Sequence, residues 1–193
     1  MSHTEPETGG PKVTVLEPEK LAIPEEIVQE KEEGGTMKGY MNIALFGVDA
    51  ETESQLYKNS RSDSIMIASI NMDTGDIKLV SVYRDTYLNI GTDEYNKCNK
   101  AYSVGGAEQA VKMLNMNLDL NIQHYVTVGF RGVVETVNGL GGVEIDITSA
   151  EIGYLNDYQY CIAEDLGLSN YNEVTNTGVQ MLDGLQACAY CRI

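Results

Sequence analysis

Four arginines occur in this acidic chain, and two of them stand beside aspartates at the ends of predicted strands. Arg61 is followed by Asp63 two positions later, and Arg84 is followed directly by Asp85. Arginine grips phosphate or carboxylate with a planar fork of N–H donors, and aspartate can hold Mg²⁺ that shares phosphate oxygens. These residues therefore predict a site for a phosphate group and a metal ion. The alternative is a set of exposed surface ion pairs, which contribute little to stability.

The spacing of these residues limits which side chains can face the same site. Arg61 and Asp63 lie two positions apart, so in an extended strand both point to the same side. Asp49 ends the preceding predicted strand, and a neighbouring strand could bring it near Asp63 to form a metal-binding cup of two carboxylates. Arg84 and Asp85 are adjacent, so only one of them faces the site unless the strand has already turned.

Buried strands alternating with helices must position these side chains. The sequence predicts strands at residues 42–48, 64–70, 77–83, 124–129 and 142–147, and helices at residues 105–116, 130–138 and 178–189. A turn at residues 73–76 joins the second and third strands as an antiparallel hairpin. Residues 151–175, rich in Asn and Tyr, are expected to be irregular. The pattern indicates an α/β domain with helices on both faces of the sheet.

Residues 1–40 differ in composition from the remainder, and the folded domain is expected to span residues 41–193. All four prolines lie within the first 24 residues, and the segment carries nine glutamates against four lysines. Few of its side chains could pack, so an acidic tail or linker is predicted, with a short helix allowed at residues 24–31.

The charge of the chain excludes several classes of function. The formal net charge is −16 and the pI is near 4.3. Nucleic-acid binding requires a basic face that releases counterions, so neither DNA nor RNA is an expected partner, and a transcriptional role is contradicted. Attraction to an anionic membrane surface by charge alone is excluded for the same reason. No run of about 18 apolar residues that could span a bilayer is present in the sequence.

Cysteine and histidine chemistry receives little support from the sequence. Cys188 and Cys191 have the CxxC spacing, but a zinc site would need a second such pair or histidines. His124 is the only histidine outside the predicted tail and is expected to satisfy its polarity within the sheet. A redox dithiol usually opens a helix after a strand, whereas this pair stands at the very end of the sequence. A buried thiol pair or an adventitious disulfide is therefore predicted.

Two adjacent glycines, Gly105 and Gly106, stand where a helix is predicted to begin. Free amides at a helix N-terminus can hold an anion, so these glycines could open an anion site. An ordinary glycine-containing helix entry is the alternative.

The order of several short motifs resembles the LytR-CpsA-Psr family over nearly all of residues 41–193. The motifs are LFGVD at 45–49, RSDSIM at 61–66, VYRDTY at 82–87, KCNKAY at 97–102 with GG at 105–106, GLGGV at 139–143, LDG at 182–184 and AYCR at 189–192. No single motif is decisive, but the ordered set is highly specific. The resemblance implies a three-layer α/β/α sandwich around a mixed central sheet, with a long apolar cleft for a lipid tail.

The resemblance also implies a phosphotransferase that works outside the bacterial cytoplasm. Family members move a glycopolymer, such as wall teichoic acid or capsule, from a polyprenyl-pyrophosphate carrier to peptidoglycan. They are usually tethered by one N-terminal membrane helix, so the full-length protein is expected at the extracellular face of the cytoplasmic membrane. The alternative is a non-catalytic module that binds a polyprenyl lipid or a cell-wall glycan.

The same resemblance assigns a role to each polar residue of the predicted site. A metal ion, Mg²⁺ or Mn²⁺, is expected to be held by the carboxylates of Asp49 and Asp63. The substrate is expected to contact Arg61, Arg84 and Arg192 at its pyrophosphate, and Lys97 and Asn99 at its head-group end. The expected catalytic residues are Arg61, Arg84 and Asp85, the last of which orients Arg84 or positions the acceptor hydroxyl.

Two features depart from the family pattern. The family usually has proline before its Arg-Asp pair, whereas this chain has Tyr83, at a position that shapes backbone more than charge. Family members also continue beyond the position of Ile193 with another arginine and a helix that carries Asp, Arg and Gln. We therefore expect the catalytic domain to be truncated at its C-terminus.

Overall fold

The computed structural model describes residues 12–15, 21, 39–50 and 60–193. These residues divide by their contacts into two compact units, the first ending at Val128 and the second spanning Gly129–Ile193. Each unit has a hydrophobic core of its own.

The first unit is built on a five-stranded mixed sheet. The described part of the unit contains seven strands in all: β1 (Lys12–Val15), β2 (Tyr40–Val48), β3 (Ser62–Asn71), β4 (Ile77–Ser81), β5 (Tyr87–Asn89), β6 (Tyr95–Lys97) and β7 (His124–Val128). The sheet has the order β1-β7-β2-β3-β4, while β5 and β6 pair separately. β2 runs parallel to β7, and the other neighbours in the large sheet run antiparallel.

Helix α1 (Lys100–Leu118) supplies seven of the eighteen buried residues that the structure describes in the core of the first unit. Every second residue of β2 is buried from Asn42 to Val48, because successive side chains of a strand point to opposite faces. The ring of Phe46 on β2 meets the ring of Tyr102 on α1 edge-on, with the centroids 5.5 Å apart. The sheet and the helix thus share one core.

The second unit packs three helices around a two-stranded sheet. Its elements are α2 (Phe130–Gly139), β8 (Val143–Ile147), α3 (Ile152–Leu166), β9 (Gly178–Leu182) and α4 (Gly184–Tyr190). β8 and β9 pair antiparallel. The core includes Leu155 and Ile162 of α3, which are fully buried.

Much of the predicted architecture is confirmed. The fold is α/β with a mixed sheet, and β3 and β4 form the expected antiparallel hairpin. Strands predicted at residues 42–48, 64–70, 124–129 and 142–147 and the helix at 130–138 occur with small changes at their ends.

The prediction that residues 151–175 are irregular was wrong, since α3 occupies residues 152–166. Asn, Asp, Tyr and Gly are weak helix formers, which hid the helix in the composition. However, Leu155, Ile162 and Leu166 recur at helical spacing and are all buried. Burial of this apolar stripe outweighs the low intrinsic propensity.

The predicted helix at residues 178–189 was wrong in its first half, which forms β9. The helix begins only after Asp183, whose backbone is extended. The Asp183 carboxylate accepts from the Gln186 backbone N–H at 2.9 Å, and the Gln186 side chain accepts from the Asp183 N–H at 3.0 Å. This capping box fixes the start of α4.

The paired glycines divide α1 into two helical segments. Gly105 and Gly106 have non-helical backbone angles, with φ +68° at Gly106, so a helical segment begins after them as the sequence predicted. The segment from Lys100 that precedes them was not expected. The predicted strand at residues 77–83 is also shorter than expected and ends at Ser81. All five residues of β4 are exposed, and the strand lies at an edge of the sheet.

Part of the segment assigned to the acidic tail joins the first unit. β1 pairs antiparallel with β7, and Leu21 is fully buried in the core. The carbonyl oxygen of Leu21 accepts from Nδ2 of Asn115 at 3.2 Å. The helix considered for residues 24–31 lies outside the described residues. In the described part of the chain, no helix combines the length and the apolar character needed to cross a bilayer.

Candidate functional site

Asp63 lies in a β-bulge between β2 and β3. The pairing advances one residue on β2, from Gly47 to Val48, while it advances two residues on β3 to reach Ser62. Asp63 is the additional residue, and a bulge of this kind redirects side chains at a strand end. Arg61 and Asp63 are exposed, while Ser62 between them is fully buried.

Arg84 reaches Asp63 from the turn that follows β4. The turn is closed by the Thr86 N–H, which donates to the carbonyl oxygen of Tyr83 at 2.9 Å. Nη1 of Arg84 donates to Oδ1 of Asp63, and both side chains are about half exposed. The chain has therefore already turned, so both Arg84 and Asp85 can face the same region.

Asp85 stands between two cations. Its Oδ1 lies 3.8 Å from Nε of Arg84 and 3.1 Å from Nζ of Lys97 at the end of β6. Asp63, Arg84, Asp85 and Lys97 thus form a continuous run of ion pairs, here called the charged cluster. Exposed ion pairs contribute about 0–1 kcal/mol each, so the charged cluster adds little to stability, as the alternative of surface ion pairs also expects.

Hydrogen bonds from the segment after β6 hold the backbone of the Arg84 turn. The Asn99 N–H donates to the carbonyl oxygen of Arg84 at 3.1 Å, and the Cys98 N–H donates to that of Thr86 at 2.8 Å. The Cys98 thiol donates to the carbonyl oxygens of Tyr83 and Arg84 at 3.2 and 3.4 Å. Burial raises the pKa of this thiol, which keeps its proton available as a donor. Cys98 supports the turn, a role that its place in the KCNKAY motif did not reveal.

The side chain of Asn99 is buried. The family resemblance led us to expect that it lines the site and contacts the head-group end of the substrate. Asn99 is 1% exposed, and neither Nδ2 nor Oδ1 has a partner among the described residues. Oγ of Ser62 also has no hydrogen-bond partner among the described residues, and Ser62 is fully buried. An unpaired buried polar group costs about 1–3 kcal/mol, so a water molecule or a ligand group that paired with these atoms would be stabilising.

Asp49 follows the last residue of β2, at the end of the β2–β3 pair where Asp63 lies. Its carbonyl oxygen accepts from Oγ of Ser60 at 3.3 Å. Within residues 39–50 and 60–193, no three His, Cys, Asp or Glu side chains gather into a group that could hold a metal. Mg²⁺ commonly uses only one or two carboxylates together with water and substrate phosphates. Two hard carboxylates at one end of a strand pair fit that requirement.

Arg192 belongs to the second unit, whereas the charged cluster belongs to the first. Its guanidinium carbon lies over the rings of Phe130 and Tyr158, 5.2 and 5.3 Å from their centroids. These aromatic contacts were not expected from the sequence, because the three residues come from distant parts of the chain.

The two cysteines of the CxxC motif differ in their exposure to solvent. Cys188 is buried and Cys191 is exposed, and both are free thiols. The expectation that both are buried was therefore wrong for Cys191, which caps the C-terminus of α4. Burial, followed by the charge of Cys191, raises the pKa of Cys188 to about 11. Cys188 is thus a protonated thiol at neutral pH and a poor nucleophile.

Comparisons with known proteins agree with this arrangement of motifs. The model of the LytR_cpsA_psr family matches residues 14–193. The chain is 32% identical over 155 residues to the polyisoprenyl-teichoic acid–peptidoglycan teichoic acid transferase TagU of Enterococcus faecalis, covering 79% of this chain and 45% of TagU. It is 29% identical over 173 residues to TagT of Bacillus subtilis, the transferase of the same description, covering 89% and 51% of the two chains.

A solved structure of TagT with bound octaprenyl pyrophosphate lipid is similar to this fold. The TM-score is 0.61 at 27% identity, over 81% of this chain and 57% of the TagT chain. This chain spans about half the length of the curated relatives that it matches.

Proposed function

We propose, since this chain belongs to the LytR_cpsA_psr family, that it is part of a phosphotransferase that moves a glycopolymer from a polyprenyl-pyrophosphate carrier to peptidoglycan. The two relatives compared are teichoic acid transferases by name, and the TagT structure contains a polyprenyl pyrophosphate. A teichoic acid or a capsule-type polymer is the proposed cargo.

The observation that carries this proposal is the charged cluster. Arg84 contacts Asp63 on one side and Asp85 on the other, so one guanidinium joins the two acidic groups of the proposed site. Transfer of a phosphoryl group depends mainly on positioning and on neutralising charge at phosphate oxygens. A half-exposed arginine held between two carboxylates is a suitable group for both tasks.

In the proposed reaction, a hydroxyl oxygen of peptidoglycan attacks the phosphorus atom that carries the glycopolymer. The bond from that phosphorus to the bridging oxygen breaks, and the carrier leaves as a polyprenyl phosphate. Arg61 and Arg84 stabilise the negative charge that builds on the leaving phosphate. Asp85, held by Lys97, takes the proton of the attacking hydroxyl.

A divalent cation, Mg²⁺ or Mn²⁺, is proposed as the cofactor. Asp49 and Asp63 would hold it, and the ion would neutralise charge on the pyrophosphate oxygens. Asp63 also pairs with Arg84, so the metal ligand and the phosphate-binding arginine restrain each other. This coupling aligns both groups toward the same pyrophosphate.

The proposed location is the extracellular face of the bacterial cytoplasmic membrane, with the full-length protein anchored by one membrane helix. The support for it is chemical: peptidoglycan, the acceptor in the names of the relatives, is assembled into the wall outside that membrane.

The test is to incubate the chain with octaprenyl pyrophosphate, with and without Mg²⁺, and to follow lipid binding and phosphate release together. Metal-dependent release that is abolished by Arg84→Ala and retained by Lys78→Ala would support the enzyme. Lys78 is a matched control because it is an exposed cation on β4 of the same unit. Tight binding without release would instead favour the non-catalytic lipid-binding module, and absence of binding would contradict both functions.

A further inference from the structure

Arg192 is held by aromatic side chains from two helices. Its guanidinium carbon lies 5.2 Å from the ring centroid of Phe130, the first residue of α2, and 5.3 Å from that of Tyr158 in α3. Both rings are partly buried and pack against the core of the second unit. Their positions are therefore fixed by core packing, and the cation lies on a rigid support.

The N–H donors of Arg192 have no hydrogen-bond acceptor in the part of the chain that the structure describes. Contact with the face of an aromatic ring uses none of the five N–H donors of a guanidinium. Among the described residues, Arg192 has no ion pair with a carboxylate and no hydrogen bond from its side chain. Arg131 in the same unit differs, because its Nη2 donates to the carbonyl oxygen of Leu166 at 2.9 Å.

In a chain with a formal net charge of −16, it is unexpected that an arginine has no carboxylate partner within the described ranges. Carboxylates outnumber cations, so a guanidinium that served only solubility or folding would readily find an acidic partner. Here the partners are two neutral rings, which orient the cation without neutralising it. Such an arrangement preserves the charge and the donor fork for an anion from solution.

We propose that Phe130 and Tyr158 are positioning residues, which hold the Arg192 guanidinium ready for a phosphate-class anion. This inference rests on the proposed function, whose substrate carries a pyrophosphate group. The rings restrict the rotamers of Arg192 before binding, so less side-chain freedom is lost when the anion arrives. They act through Arg192 and need not touch the substrate.

Binding of octaprenyl pyrophosphate to the chain, measured by titration, tests this role. Removal of one exposed cation–π contact is expected to weaken binding by about twofold to fivefold in Tyr158→Leu. Tyr158→Phe keeps the ring and should bind as the wild type does. Tyr160→Leu is the matched control, since Tyr160 is an exposed tyrosine on the same helix.

A double-substitution cycle separates positioning from a structural effect. If Tyr158 acts through Arg192, then Tyr158→Leu has no further effect in the Arg192→Ala background. In the wild-type chain, the Nε–Hε NMR resonance of Arg192 should carry a ring-current shift that Tyr158→Leu reduces and Tyr158→Phe retains.

Three results would overturn the inference and leave the proposed function intact, provided that Arg84→Ala still weakens binding. The first is an unaltered lipid affinity in Tyr158→Leu, and the second is an unaltered affinity in Arg192→Ala. The third is a loss of affinity caused by Tyr158→Leu that is equally large in the Arg192→Ala background. A wild-type chain that does not bind the lipid would overturn the proposed function and this inference together.

Discussion

The guanidinium of Arg84 donates to the carboxylate of Asp63, a residue 21 positions earlier in the chain. The pair joins the turn after β4 to the bulge of β3, which are the two places where the sequence sets an arginine beside an aspartate. An ion pair therefore links the two Arg-Asp motifs.

Loss of Arg84 is expected to weaken lipid binding strongly. Removal of a charge-assisted hydrogen bond costs about 1.5–3 kcal/mol, so Arg84→Ala should raise the Kd for octaprenyl pyrophosphate by about tenfold to a hundredfold. Arg84→Lys should recover only part of this loss, because an ammonium lacks the planar fork. The measurement is a binding titration, and an unchanged Kd would remove Arg84 from the pyrophosphate site.

Substitution of Asp63 should affect the metal more than the fold. Asp63→Asn removes a carboxylate charge from an exposed pair, so the free energy of unfolding should change by less than about 1 kcal/mol. Affinity for Mg²⁺ or Mn²⁺, followed by calorimetry or Mn²⁺ resonance, should fall clearly, as it should in Asp49→Asn. Asp157→Asn, at an exposed site on α3, serves as the control. Equal metal binding in Asp63→Asn and wild type would exclude Asp63 as a ligand.

Gly184 is required by close packing of α4 on α2. A Cβ at this position would overlap the carbonyl oxygen of Val134 and lie 2.7 Å from its Cα. Gly184→Ala should therefore lower the free energy of unfolding by about 1–3 kcal/mol or more, as measured by urea denaturation. Gly153→Ala is the matched control, because nothing lies within 4 Å of its Cβ position, and alanine in a helix should be neutral or stabilising. Equal stability of the two variants would contradict this account.

Glu151 is expected to stabilise the second unit in a pH-dependent manner. Hydrogen bonds from the Thr148 hydroxyl at 2.7 Å and from its N–H at 2.8 Å lower the pKa of Glu151 below its ordinary 4.5. A lowered carboxyl pKa stabilises the fold fully above the unfolded-state value, and this contribution is lost as the pH falls through the folded-state value. Glu151→Gln should therefore be less stable than wild type at pH 7.

The difference between Glu151→Gln and wild type should shrink as the pH falls below 4.5. Urea midpoints measured at several pH values check this, with Thr148→Val as a variant that removes only the hydroxyl donor. A stability difference that stays constant down to acidic pH would contradict the assignment.

The four cysteines should differ in reactivity. Cys161 and Cys191 are exposed and should react with iodoacetamide at pH 8, whereas Cys98 and Cys188 are buried. Because the pKa of Cys188 is raised to about 11, protonation alone should slow its reaction on the order of a hundredfold. Mass spectrometry of the modified peptides measures this, and unfolding in urea should make all four sites reactive. Equal rates at Cys188 and Cys191 in the folded protein would contradict the burial.

Local signals in the sequence pointed to Asp63, Arg84 and Asp85, and the family resemblance pointed to Lys97, but neither predicted the contacts within the charged cluster. Arg84 and Asp85 left an ambiguity, because adjacent residues point apart in a strand and together in a turn. The structure resolves this ambiguity, because a hydrogen bond from the Thr86 N–H closes a turn at this point. Cys98 and Asn99, which follow the β5–β6 pair, hold the backbone of that turn.

Other features were hidden because they depend on tertiary packing. The burial of Asn99 places a strongly polar side chain inside, against its usual preference. The aromatic support of Arg192 joins α2, α3 and the segment after α4, so no short window of sequence contains it. Helix α3 was missed because buried contacts outweigh the low helix propensity of its residues.

The place of β7 in the sheet has a consequence for how the chain folds. β2, β3 and β4 follow one another closely and can pair as soon as they are synthesised, but β7 lies between β1 and β2. β1 pairs only with residues from His124 to Thr127, so its partner emerges from the ribosome long after it does. Contacts so distant in sequence form slowly, because a large loop must close before they can stabilise anything. Docking of β7 is therefore the late step that joins β1 to β2, β3 and β4. In a nascent chain shorter than about 124 residues, the edge of β2 that pairs with β7 is open.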